Sequence, residues 1–228
     1  MRLLQYFFVL FLVAFASTAN AQTNVTVNGT ISPPGCNASF SGGGSLDWGT
    51  IPWSSLSSTV MTTLPGKAVT FQVQCPTGTL VSMAFWVVDP NKASAMTGPN
   101  TTSPNSTANH GDANRIFGIG MDPVTGQKLG NFSMISTGAA FDGTAATTFG
   151  YTPSGTHTGT SFGQVTIGWA MNTTEDWTVW NSTTSKPASA TLHTFTFNVE
   201  PQLNIKTNIT ATQEVPFSGV AQFNVRYF

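Results

Sequence analysis

Ala221-Gln222-Phe223-Asn224-Val225-Arg226-Tyr227-Phe228 closes the sequence, and its reading decides the fold class. Ala221, Phe223, Val225 and Tyr227 fall on one face of an extended strand, and Gln222, Asn224 and Arg226 fall on the other. Chain ends fray unless something ties them down. An end that alternates in this way, with aromatic Tyr227 and Phe228 as its last residues, is expected to be a structural part. That expectation points to assembly rather than catalysis.

The same period of two runs through the rest of the chain. Val25, Val27, Gly29 and Ile31 alternate with polar residues before Pro33-Pro34-Gly35 stops the run ahead of Cys36. Leu46 to Ile51 reads as a short strand ended by Pro52, and Ala68 to Cys75 alternates with Val69, Phe71, Val73 and Cys75 inward. Leu80 to Val88 is apolar almost throughout, as expected of a central strand covered on both faces. Residues 116–121 and 128–136 read as a hairpin across Asp122 to Gln127. Phe162 to Trp169 and Thr191 to Val199 supply further strands, the latter with a slip at His193-Thr194 that predicts a bulge. Residues 89–114 and 137–160 read as long loops. No segment keeps a helical period. The fold class is therefore all-β, an antiparallel sandwich with long loops.

Arg2, the apolar run Leu3 to Ala16 and the small-x-small site Ala19-Asn20-Ala21 predict a signal peptide over 1–21 and a single exported domain over 22–228. Only 7% of residues are charged; without Arg2, seven Lys and Arg stand against nine Asp and Glu, scattered singly. No basic stripe exists to neutralise phosphates, so nucleic acid is not an expected partner. Cys36 and Cys75 are the only cysteines, and in an exported chain such a pair is most simply a disulfide. Three histidines far from both in sequence argue against a metal site.

Nothing in the sequence recommends catalysis. Gly159-Thr160-Ser161-Phe162-Gly163 has the Gly-x-Ser-x-Gly spacing, but it leads into a strand pattern and not from a strand into a helix, as a serine nucleophile's turn requires. His110 and Asp112 form the only close His/Asp pair, and they read as solvated residues of the 89–114 loop. Glu175 and Asp176 are adjacent, so on a strand they point to opposite faces rather than across a cleft. No enzyme and no cofactor are expected. Trp86 and Trp169 sit on strand patterns and read as core, whereas Trp177 and Trp180 sit among Glu175, Asp176 and Asn181 as candidate glycan contacts. Nine Asn-x-Ser/Thr sequons occur, and in a chain this rich in Asn, Ser and Thr many arise by composition.

Taken together, Val25 to Ile31 leading to Cys36, the second cysteine Cys75 and the last strand ending in Tyr227-Phe228 resemble a chaperone-usher fimbrial subunit. Residues 27–36, Leu46 to Ile51, Leu64 to Lys67 and Phe71 to Cys75 are more closely similar to the β-fimbriae-like exported proteins catalogued as a domain of unknown function, DUF1120. The resemblance implies an immunoglobulin-like, pilin-type sandwich lacking its last strand. A periplasmic chaperone would fill the gap first, and the extended strand of another fimbrial subunit would replace it at an outer-membrane usher, by β-augmentation. It further implies that Ala221, Phe223, Val225, Tyr227 and Phe228 form the assembly strand and that Cys36 and Cys75 are the family's disulfide. Only Gln22-Thr23-Asn24 separate the predicted cleavage site from Val25, so Val25, Val27, Gly29 and Ile31 serve either as donor or as first strand. The implied setting is the surface of a Gram-negative bacterium, reached through the periplasm. The alternative is a tip adhesin or soluble carbohydrate-binding module with a self-completed sandwich, recognising a host glycan.

Overall fold

The structure, a computed structural model, describes residues 35–99, 110–153, 157–210 and 212–228. Their strands, in chain order, are β1 Asn37–Phe40, β2 Thr62–Thr63, β3 Lys67–Gln74, β4 Val81–Val88, β5 Phe117–Gly118, β6 Gly130–Phe141 and β7 Thr144–Ala146. There follow β8 Thr148–Thr152, β9 Gly163–Thr166, β10 Asp176–Asn181, β11 Lys186–Pro187, β12 Ser189–Ala190, β13 Leu192–Leu203 and β14 Gln222–Tyr227. The only helical pieces among the described residues are 3-10 turns. The predicted signal peptide and the Val25 to Ile31 run lie outside the described residues.

Two antiparallel sheets pack as a sandwich. One runs β1-β3-β13-β6-β5, with β2 beside β13 and β7 beside β6; the other runs β12-β4-β10-β8-β9, with β11 on β10 and β14 on β4. The neighbours β1-β3-β13-β6 and β4-β14 are those of strands A-B-E-D and C-F in an immunoglobulin-type sandwich. In that scheme the position beyond β14 belongs to strand G, and no described strand occupies it.

Alternation explains the core. Val69, Phe71 and Val73 of β3 and Phe195, Phe197 and Val199 of β13 face inward, against Met83, Phe85 and Val87 of β4 and Trp177 and Val179 of β10. Phe85 meets Phe195 edge to face at 4.7 Å. Each such side chain contributes about 1.5–3 kcal/mol on burial. Cys75, just beyond β3, is bonded to Cys36 just ahead of β1, so the disulfide pins the edge strand to its neighbour.

Several expectations need correction. Residues 45–52 form no regular strand, because they have no ladder partner and Gly49 turns the chain at a φ of 64°. The 137–160 stretch is not a loop: it holds the end of β6 and all of β7 and β8, whose small Gly, Ala and Thr residues hide the period. The bulge lies where β13 shifts register between Thr196 and Phe197, not at His193-Thr194. His193 is itself the inward residue, and half-buried Leu192 faces away, which removes the apparent slip. Within the predicted hairpin, the buried Asp122 carboxylate accepts the N–H groups of Val124, Thr125 and Thr210 and the Thr210 hydroxyl. Burial alone would raise its pKa; these bonds hold it well below the ordinary carboxylate range. They also tie the β5–β6 turn to the segment that follows β13.

Candidate functional site

β14 is the site's principal element. It pairs with β4 in unbroken register, from Gln222 opposite Val88 to Tyr227 opposite Met83. The Phe228 N–H bonds the Ser82 carbonyl, so the hydrogen-bonded pairs fall at Phe228, Arg226, Asn224 and Gln222. The peptide groups of Phe223, Val225 and Tyr227 must then point to the other side. No described strand pairs with that outer edge, so it presents a row of N–H and C=O groups ready for another strand. The same three residues turn their side chains into the sandwich. Phe223 packs 4.9 Å from both Phe40 and Phe71 and stacks on Phe85 at 5.4 Å. Burial raises the pKa of the Tyr227 phenol.

At the Phe223 end of this edge lies a groove of about 1110 Å³. One wall is the irregular segment carrying Leu46, Trp48, Ile51 and Trp53; the opposite wall is 215–223, with Val215, Phe217, Ala221 and Phe223. The floor is the inner face of the first sheet, including Val69, Phe132, Met134 and Val199. The tryptophan wall is fixed by its polar ends. The Trp48 indole N–H donates to the Pro65 carbonyl at 2.8 Å and that of Trp53 to Ile209 at 3.2 Å. Lys67 and Lys206 stand over the two rings at 5.4 and 5.3 Å. Leu46, Trp48 and Ile51 line the groove together with the polar residues between them, and they form no strand. The resemblance implied a gap beside the last strand, but sequence reasoning missed the residues that wall it, because the apolar residues of 46–53 and 215–221 keep no period.

The remaining site residues fall elsewhere. Trp177 and Trp180 are 0% and 6% exposed, so they offer no surface ring to a glycan. The polar residues beside them concealed a buried strand, β10, covered on both faces. Conversely Trp86 and Trp169 are not core: Trp86 stacks on His157 at 4.6 Å, and Trp169 is 37% exposed under the Arg115 guanidinium. His110 is not a solvated loop residue; it is fully buried, bonded to Asn131 and 3.4 Å from Glu200. Asp112 instead pairs with Arg115 at 3.3 Å, and Arg115 reaches Glu175 at 3.4 Å. Burial raises the pKa of Glu175, with Arg115 pulling the other way. Among the described residues no group of three or more His, Cys, Asp or Glu is arranged to hold a metal ion.

No curated protein matches the chain. The family model described as a protein of unknown function (DUF1120) matches residues 25–133, a stretch that runs from the Val25 to Ile31 alternation through both cysteines and into β6, and over that stretch the chain is similar to that family.

Proposed function

We propose that this chain is a non-catalytic, exported subunit of a fimbria-like surface assembly, joined to its partners by strand complementation at the outer edge of β14. The carrying observation is the unpaired edge of Phe223, Val225 and Tyr227, on the side where strand G would lie, with a mainly apolar groove opening at its Phe223 end. An incoming strand with alternating apolar residues would bond that edge and fill the groove. Its partners in this reading are a periplasmic chaperone and usher, then neighbouring subunits.

The test is a titration of the full chain with a peptide spanning residues 22–32, read by thermal unfolding and fluorescence anisotropy. Saturable binding with a raised Tm is expected for the native sequence. Val225→Pro removes an N–H that faces away from β4, so the β14–β4 ladder survives while the incoming strand loses a bond and meets a proline ring. Binding is expected to weaken about tenfold or more, by loss of one or two hydrogen bonds. A native chain indifferent to the peptide, or equal binding by Val225→Pro, overturns the reading.

A further inference from the structure

The outer face of the second sheet carries an arrangement that groove filling does not explain. Asp176, on β10, has a carboxyl side chain that is 0% exposed. Its Oδ2 accepts from Arg226 Nε at 3.1 Å and lies 3.0 Å from a terminal guanidinium nitrogen. Its Oδ1 meets His157 Nδ1 at 2.5 Å. Arg226 belongs to β14, and between it and Asp176 runs β4, where Ala84 sits opposite Arg226 and adds only a methyl group to that face. The guanidinium is further held by the Gly159 carbonyl and by the rings of Phe162 and Phe228, which stack on each other at 5.6 Å.

Ladder geometry shows what this contact adds. β14 shares six register pairs with β4, but β4 meets β10 at the single pair Phe85–Trp177. Apart from two pairs with β12 at Val81 and Ser82, the β14–β4 ribbon is joined to the rest of its sheet by this short ladder, and an ion pair spans it from strand to strand. A buried carboxylate is tolerable only while its partners stay in place. Moving Arg226 by one residue along the ladder would turn it to the opposite face and strand Asp176 without that partner.

We propose that Asp176 is a positioning residue: acting through Arg226, it fixes the register of β14 from behind and keeps its outer edge aligned for the strand that docks in front. The second half of this statement rests on the acceptor reading of β14. The chain has a rear brace that leaves the groove side untouched, so β14 is ordered before any partner arrives.

Amide hydrogen exchange on the full chain, with Asp176→Asn and Arg226→Gln, tests it, alongside the affinity of each variant for the 22–32 peptide. In both variants the amides bonded across β14 and β4, those of Asn224, Arg226 and Phe228, are expected to exchange on the order of 100-fold faster, while amides of the β3–β13 ladder keep their protection. Arg226→Lys, which keeps the charge but loses the fork, is expected to fall between. Peptide affinity should drop in the same order. Unchanged exchange in β14, or an equal rise across both sheets, overturns the brace. Selective exchange in β14 with no peptide binding by the native chain upholds the brace and overturns the acceptor reading.

Discussion

His193 shows how one residue can set the acid response of the fold. It sits at the inward start of β13, 0% exposed, with one ring nitrogen 3.0 Å from the Val81 carbonyl. Burial lowers its pKa below the ordinary 6.5, against the opposing pull of that carbonyl and of the Asp142 carboxylate. The folded chain therefore holds a neutral ring where the unfolded chain takes up a proton. Stability is complete above about pH 6.5 and declines as pH falls from there toward the folded pKa. Glu175 acts in the opposite sense, since its raised pKa favours folding at low pH and that contribution is lost as pH rises through it. A comparison with His193→Phe separates the two. The native Tm is expected to fall between pH 7.5 and pH 5 more steeply than that of the variant. Parallel pH profiles would exclude His193 as the source.

Among the elements, the segment leading into β14 has no ladder and depends on contact. It is held against β6 at Gly219, where a Cβ would come 2.5 Å from the Phe132 ring and 2.9 Å from the Gly118 carbonyl. The neighbouring Ser218 N–H bonds the Ile119 carbonyl. Gly219→Val is expected to cost about 1–3 kcal/mol by overpacking, read as a lower urea midpoint; an unchanged midpoint would mean that the segment moves away freely. Elements of this kind are also where the sequence falls silent. β3, β13 and β14 were legible because each buries one alternating face, β4 because its apolar run is almost continuous, and the cysteine pair because two cysteines allow a single pairing. β10 was not: Asp176 and Asn181 mark it as polar, and only the strap carrying His157 and Phe162 explains why a carboxylate is buried there. Val215 and Phe217, or Trp48 and Trp53, gain their meaning from one another across the groove, and no local period can report that.

At the scale of the whole molecule, the Cys36–Cys75 bond closes a stretch of chain that contains β1, the tryptophan wall of the groove and β3. Between β1 and β2 this stretch has no ladder of its own and is anchored by the indole and lysine contacts of Trp48 and Trp53, by buried Leu56 and by hydrogen bonds such as that from the Lys206 N–H to the Ser57 carbonyl. The disulfide spans a sequence separation of 39 residues. Constraint of the unfolded chain over that length is worth about 4 kcal/mol at most. Because β1 is four residues long and largely exposed, its hold on β3 is weak without the covalent tie. Replacing both cysteines by serine is therefore expected to act in two places. The urea midpoint should fall by the equivalent of several kcal/mol, and the fluorescence of the groove tryptophans should change before global unfolding, as the wall detaches first. A midpoint equal to the native value would show that packing alone holds the edge of the sandwich. A lowered midpoint with a single, simultaneous transition would show that the groove wall and the two sheets form one cooperative unit, so that an occupant of the groove would stabilise the entire fold.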